Sequence, residues 1–170
     1  MIGEQIKLRA VEPSDLSVLY DWENDPKNWE VSGTIAPFSR YILEQYILNS
    51  ANDIYTNKQL RFIITTTEEV AIGTIDLFDF DPQHARAGIG ILIGDTAHRR
   101  KGLAKKALLE LIKYAKETLQ LHQLYCNINN KNIASINLFE KAGFKLIGIK
   151  KQWQRTKNGF EDEAMYQLIL

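Results

Sequence analysis

The sequence has 170 residues, 45% of them hydrophobic and 25% charged, and its 21 lysines and arginines balance 21 aspartates and glutamates. This composition is typical of one folded domain over residues 1–170, and zero net charge argues against binding nucleic acid through bulk charge. Cys126 is the single cysteine, which excludes an internal disulfide and a cysteine-cluster metal site, and we expect no metal. The sequence shows no signal-peptide pattern and no run of roughly 20 apolar residues. We therefore expect a cytoplasmic protein without membrane contact.

The first third of the chain predicts one short strand and two helices. Ile6–Arg9 has the pattern of a strand, and Pro13 suits the first turn of a helix. An irregular loop is expected from Asn24 through Pro37. Ser39 then has the right chemistry to cap a second helix.

Three segments rich in β-branched and aromatic residues follow, with turn-like residues between them. They are LRFIITT from Leu60, VAIGTIDLFDF from Val70 and RAGIGILI from Arg86. Consecutive strands joined by short turns predict an antiparallel meander.

The last part of the chain predicts two helices and three strands. Apolar residues at three- and four-residue steps, from Ala104 to Leu119, predict a long helix. The segment QLYCNI predicts a strand, NIASINLFEKAG a helix that ends at Gly143, and Asn158-Gly159 a type I′ turn in a final hairpin. The whole order predicts an α+β fold in which helices flank a mostly antiparallel sheet.

The start of the long helix carries an unusual concentration of positive charge. Its cations are Arg99, Arg100, Lys101, Lys105 and Lys106. Cations are unfavourable at the positive end of a helix dipole unless an anion binds there. Unpaired N–H groups and a glycine without a Cβ, Gly102, suit phosphate or pyrophosphate. The alternative is a solvated basic surface, which explains Lys113 but not the glycine.

Two motifs together resemble the GNAT superfamily of acetyl-CoA-dependent N-acetyltransferases. Arg99-x-x-Gly102-x-Ala104 is similar to the family's Q/R-x-x-G-x-G/A motif, and the segment from Asn132 to Phe144 is similar to its second signature block. The element order also matches. The resemblance implies a single GNAT-like domain whose fourth and fifth strands splay apart around acetyl-CoA. The chain also resembles two subgroups of the family, the bacterial spermidine/spermine N-acetyltransferases and the ribosomal-protein N-terminal acetyltransferases.

The resemblance also implies which residues bind acetyl-CoA. The fourth strand would pair with the pantetheine arm, the loop before the long helix would bind the pyrophosphate, and the second block would form the other wall. The implied residues are Ile91, Leu92, Ile93, Arg99, Arg100, Lys101, Gly102, Leu103, Ala104, Lys105, Asn132, Ser135 and Phe139.

Direct attack of an amine on the thioester needs a proton acceptor and a donor to the carbonyl oxygen. The resemblance places that donor at the Leu92 backbone N–H or its neighbour. Many relatives have a tyrosine acid where this chain has Phe139, and a glutamate base near Gly88, where this chain has none. The candidate bases, acting through water, are Glu30, Asp76, Asp79 and His84, although Asp76 also fits an exposed strand face and His84 a turn.

Acidic residues favour a cationic acceptor. Residues 68–81 contain five carboxylates and no lysine or arginine, which favours a polyamine or another small amine. Three alternatives remain: solvated loop charges with no role, a protein N-terminal acetyltransferase of the ribosomal-protein type, and a non-catalytic CoA-binding module on the same fold. The sequence leaves open whether the chain forms a homo-oligomer.

Overall fold

The computed structural model describes residues 5–170, apart from the side chains of Glu30 and Val31. Within this range seven strands form one sheet in the order β1-β2-β3-β4-β5-β7-β6. The strands are β1 (Ile6–Ala10), β2 (Leu60–Thr66), β3 (Ala71–Asp81), β4 (Arg86–Ile93), β5 (Gln123–Asn129), β6 (Lys145–Thr156) and β7 (Gly159–Ile169). Every neighbouring pair is antiparallel except β4 and β5. The predicted α+β class and mostly antiparallel sheet are confirmed, and the seven predicted strands follow one another along the chain as expected.

Helices cover both faces of the sheet. They are α1 (Leu16–Glu23), α2 (Pro26–Ser32), α3 (Arg40–Asn49), α4 (Ile54–Asn57), α5 (Leu103–Glu117) and α6 (Ile133–Lys141), with 3-10 turns at Pro13–Asp15 and Thr96–His98. Ser39 caps α3 as predicted, because its hydroxyl accepts from the Ile42 N–H at 3.1 Å. No helix in the described part of the chain is long and apolar enough to cross a membrane.

The predicted loop from Asn24 through Pro37 is wrong over its first half, where α2 forms. Asp25 caps this helix by accepting from the Lys27 N–H at 3.0 Å, and Pro26 occupies its first turn. Gly33 ends it in the left-handed conformation at φ 70°. These are ordinary start and stop signals, and they were present in the sequence.

Alternation along the strands divides the core between the two faces. Ile64 packs with α5 on one face, and its neighbour Ile63 packs with α1 and α3 on the other. Four members of the predicted helical repeat on α5 are fully buried, namely Ala107, Leu108, Leu111 and Ala115, and the first residue of the helix, Leu103, is buried as well. We call the two sides of the sheet the α5 face and the α1–α3 face.

Strands β4 and β5 pair only at their starts. The pairs are Arg86 with Gln123, Ala87 with Leu124, and Gly88 with Tyr125. Beyond Gly88 the strand β4 continues to Ile93 beside β3, and β5 continues to Asn129 beside β7. The strands therefore separate, as predicted, and leave a wedge-shaped opening between them.

The final hairpin is confirmed, but its predicted turn type is wrong. Thr156 pairs with Gly159, so the loop consists of residues 157 and 158. A type I′ turn needs positive φ at both central residues, whereas here Gly159 takes φ 116° and Asn158 does not have positive φ. The Thr156 hydroxyl accepts from the Asn158 N–H at 3.2 Å, a side-chain contact that stabilises the turn.

Candidate active site

One wall of the opening is the free edge of β4. Ile91, Leu92 and Ile93 all lie on the part of β4 that has left β5, and each is half-buried. On a strand without a neighbour, alternate N–H and C=O groups are directed outward from the edge and need partners. The edge therefore presents hydrogen-bonding groups to an extended ligand in the opening, apart from the Ile93 carbonyl, which already accepts from Arg99 Nε at 2.9 Å.

The loop between β4 and α5 ends in an uncapped helix. Gly102 is the N-cap of α5, it provides no capping side chain, and it takes the left-handed conformation at φ 77°. Arg100, two residues earlier, has φ 63°. A Cβ built at Gly102 would meet nothing within 4 Å, so its backbone is open to approach. The first N–H groups of α5 have no helical partner, and this geometry suits an anion.

Arg99 differs from the neighbouring residues of this loop. Its backbone N–H already donates to the Thr96 carbonyl at 3.2 Å. Its side chain donates from Nε to the Ile93 carbonyl at 2.9 Å and from Nη2 to Asn28 Oδ1 at 3.3 Å. Of the predicted pyrophosphate donors, the Arg99 amide is thus engaged in a turn, which leaves the amides from residue 100 onward as the better candidates.

The start of α6 forms the wall on the β5 side, because this helix begins four residues after β5 ends. Asn132 is its N-cap and accepts from the Ser135 N–H at 3.1 Å. Asn132 therefore caps α6 through its side chain. Phe139 is 3% exposed and packs edge-to-face on Phe144 at 5.0 Å, so in this chain the position carries a core ring.

An aromatic group on the α1–α3 face lies where β4 and β5 separate. The Phe78 ring fills the space above Gly88, where a built Cβ would be 2.2 Å from Cε2. Tyr125 lies edge-to-face with Phe78 at 6.1 Å and donates its hydroxyl proton to Asp79 Oδ2 at 3.3 Å. Burial and the neighbouring carboxylate raise the pKa of Tyr125, so this phenol remains a donor at neutral pH.

Phe78 and Tyr125 were missed in the sequence, although a signal for Phe78 was there. A glycine directly across a hairpin from an aromatic residue indicates a ring lying over that glycine. LFDF and AGIG contain such residues, but the pairing of Phe78 with Gly88 also depends on a β-bulge between Phe78 and Asp81, which the sequence does not show.

The predicted base Asp76 is part of a charged cluster. Both of its oxygens accept from Arg61, at 2.7 and 2.8 Å, and Arg61 also contacts Glu23 at 2.7 Å. Burial disfavours the charge on Arg61, but the carboxylates outweigh it and raise its pKa. A carboxylate held by two charged hydrogen bonds is a poor proton acceptor. A base role for Asp76 remains a prediction that this geometry does not favour.

The other candidate bases and the cysteine lie in different surroundings. Glu30 is on α2, and its side chain is outside the described part of the structure. His84 is exposed in the β3–β4 turn, where its backbone N–H donates to Asp81 Oδ1 at 3.0 Å, which agrees with a turn role. Asp79 is exposed beside Tyr125. Cys126 is a buried core residue, and burial raises its pKa to about 12.

Comparison with known proteins agrees with this geometry. Residues 5–145 match the family described as the acetyltransferase (GNAT) domain. The uncharacterized N-acetyltransferase p20 of Bacillus licheniformis is 30% identical over 169 residues, which cover 98% of this chain and 93% of that protein. The spermidine N(1)-acetyltransferase of Vibrio cholerae is 25% identical over 143 residues, 84% of this chain and 80% of that protein.

Solved structures share the fold. The crystal structure of spermidine N-acetyltransferase from Vibrio cholerae, in complex with CoA and spermine, superposes with a TM-score of 0.89. The superposition covers 97% of this chain and 95% of that chain, at 23% sequence identity. At this identity the likeness establishes the architecture, and the ligands belong to that protein.

Proposed function

Because the chain belongs to the GNAT family of N-acetyltransferases and is therefore an acyltransferase, we propose that it transfers acetyl from acetyl-CoA to a polyamine or other small primary amine. The observation that carries this proposal is the opening between β4 and β5, which ends beside the uncapped, glycine-started helix α5. An extended pantetheine arm and a pyrophosphate are complementary to these two features.

The residues present fit acetyl-CoA, which supplies the acetyl group as a thioester. In the proposal, the backbone of Ile91–Ile93 pairs with the pantetheine amides, and the amides of residues 100–104 bind the pyrophosphate. The exposed cations Arg100, Lys101 and Lys105 surround that loop and add attraction for phosphate. Asn132 and Ser135 approach from the α6 side. The proposed donor to the thioester carbonyl oxygen is a backbone N–H of this strand, at Leu92 or its neighbour Ile93.

Proton transfer in this chain needs groups other than those of many relatives. An acceptor amine with a pKa near ~10.4 is almost fully protonated at pH 7, so a base is required. We propose Asp79 acting through water, because it is exposed at the point of separation and held by Tyr125, and we retain Glu30 as the alternative. Phe139 cannot donate a proton, but a thiol of pKa roughly 8.5 can leave as thiolate.

The acceptor class follows from charge on the α1–α3 face. The cluster of Glu23, Asp76 and Arg61 carries one net negative charge, whereas Asp79 lines a cavity together with the cations Arg86 and Lys150. A negatively charged surface of this kind attracts a cationic acceptor that has few apolar groups. Similarity to spermidine N(1)-acetyltransferases supports the same class.

A screen of amines with acetyl-CoA tests the proposal. Spermidine, spermine, aminoglycosides and basic peptides with free N-termini are supplied in turn, and CoA thiol release and acetylated product are measured. We expect thiol release with a polyamine on the order of tenfold or more above hydrolysis without amine. Turnover with peptides alone would favour the ribosomal-protein type of enzyme instead.

A second function, a non-catalytic CoA-binding module, is favoured by one observation: Phe139 and Gly88 stand where many relatives carry an acid and a base. It predicts CoA binding without turnover on any amine. That result in the same screen would replace the enzymatic proposal.

A further inference from the structure

Arg99 connects two parts of the molecule that are distant in sequence. Its guanidinium reaches the last carbonyl of β4, at Ile93, and the side-chain oxygen of Asn28 on α2, 71 residues away. It also begins the loop that leads to Gly102. One side chain therefore links the loop in front of α5 with a helix on the α1–α3 face.

Asn28 also links α2 to α1. The Asn28 side chain is only 4% exposed, and its Nδ2 donates to the Trp22 carbonyl at 2.9 Å. The next residue, Trp29, donates from its indole to the Glu23 carbonyl at 2.9 Å. These two hydrogen bonds make the corner between α1 and α2 one unit, because a buried amide with both ends bonded fixes the elements it joins.

A second contact joins this corner to the segment between β4 and α5. The Trp22 indole covers Gly94, where a built Cβ would lie 2.3 Å from Cδ2, so Gly94 leaves room for the ring. The neighbouring Glu23 contacts Arg61, which binds Asp76. A continuous set of contacts thus runs from the loop through α2 and α1 to the charged cluster on the α1–α3 face.

We infer that Arg99 is a positioning residue that couples the loop of residues 99–104 to the α1–α2 corner through Asn28. Cofactor binding at the loop then orders α2 and, through Glu23, the carboxylates that face the acceptor. This inference rests on the proposed function, because it requires CoA to bind at that loop. It gives the Arg99 side chain a role separate from phosphate contact.

Hydrogen–deuterium exchange with and without CoA tests the coupling without needing an identified acceptor. In the unchanged protein, CoA should slow exchange both in residues 99–104 and in α2. Arg99→Lys keeps the positive charge, but one ammonium on a flexible stem lacks the planar fork that reaches both oxygens. In this variant we expect protection of the loop to remain, protection of α2 to be lost, and CoA affinity to stay within about threefold.

Two further variants keep the result interpretable. Asn28→Ala removes the same link from the other side and should also lose the α2 response, and combining it with Arg99→Lys should add nothing further. Lys113→Gln removes one exposed positive charge elsewhere on α5 and should leave both responses intact. Circular dichroism confirms that each variant is folded before exchange is measured.

The outcomes separate the coupling from the proposed function. Protection of the loop without protection of α2 in the unchanged protein would overturn the coupling and leave the function standing. A full α2 response in Arg99→Lys would overturn it too. Absence of CoA binding and of any protection would overturn the proposed function, and the coupling with it.

Discussion

At the scale of single residues, Gly102 is the site position with the strictest structural requirement. Its left-handed backbone and its open Cβ direction have separate consequences. The first costs any other residue about 1–2 kcal/mol of strain, and the second matters only when a ligand approaches. Gly33 at the end of α2 has nearly the same backbone, at φ 70° with nothing within 4 Å of a built Cβ, and provides a matched control.

We therefore predict different outcomes for Gly102→Val and Gly33→Val. Both should lower the unfolding temperature by similar amounts, because both force a branched side chain into the left-handed region. Only Gly102→Val should weaken CoA binding, by on the order of tenfold or more, since hydrogen bonds to a charged group are lost. Isothermal titration calorimetry measures the affinities. Equal CoA affinity in the two variants would contradict the assignment of the loop.

At the scale of elements, the register between β3 and β4 determines what the opening contains. Phe78 pairs with Gly88, and its ring also passes Gly90 at an ordinary 3.7 Å from a built Cβ. A side chain at position 88 is thus excluded by packing, which gives a physical reason for the absence of a β4 base in this chain.

A double-mutant cycle checks this packing. Gly88→Ala should destabilise the protein by about 1–3 kcal/mol through overpacking, and clearly less in a Phe78→Ala background. Gly90→Ala is the matched control and should be close to neutral. Urea unfolding gives the free energies. Additive effects of Phe78→Ala and Gly88→Ala would show that the ring does not restrict position 88.

The junction between β1 and α1 depends on one buried carboxylate. Asp15 accepts from Arg9 through both oxygens at 2.7 Å and from the Glu12 N–H at 2.8 Å. Burial alone would raise the pKa of Asp15, but these hydrogen bonds outweigh it and lower the pKa below its ordinary value. Its stabilising contribution is therefore full above the unfolded-state pKa near ~3.9 and is lost as pH falls through the lower folded value.

Asp15→Asn tests that contribution. The variant should lose on the order of 1–3 kcal/mol of unfolding free energy at pH 7, because a charge-assisted pair is removed. Its loss of stability on acidification below pH ~4 should also be shallower than that of the unchanged protein. Chemical denaturation at a series of pH values measures both, and parallel acid profiles would contradict the role of Asp15.

At the scale of the whole molecule, periodicity in the sequence was enough to predict the seven strands along the chain and the buried side of α5. The cations before Gly102 also pointed to that loop. Contacts between distant residues were beyond the sequence, since nothing local pairs Arg61 with Glu23 or Arg99 with Asn28. These partners exist because the folded sheet and the α1–α2 corner bring them together, and they place Asp76 and Arg99 in contacts that the sequence did not indicate.

In the proposed function, the extended cofactor lies in the wedge-shaped opening between β4 and β5. Alternative proposals would place CoA elsewhere on the molecule. One is the surface cavity on the α1–α3 face lined by Arg86, Tyr125 and Lys150, whose cations also suit phosphate. The loop before α5, the edge of β4 and the start of α6 together form a longer surface than this cavity and one more complementary to CoA. Its main hydrogen-bond donors are backbone amides rather than side chains.

A crystal structure of the protein with CoA tests this most directly. We predict that the pantetheine arm lies along Ile91–Ile93 in the opening, with the pyrophosphate within hydrogen-bond distance of the amides around Gly102. CoA bound in the cavity beside Arg86 and Lys150, with the edge of β4 unused, would contradict the account.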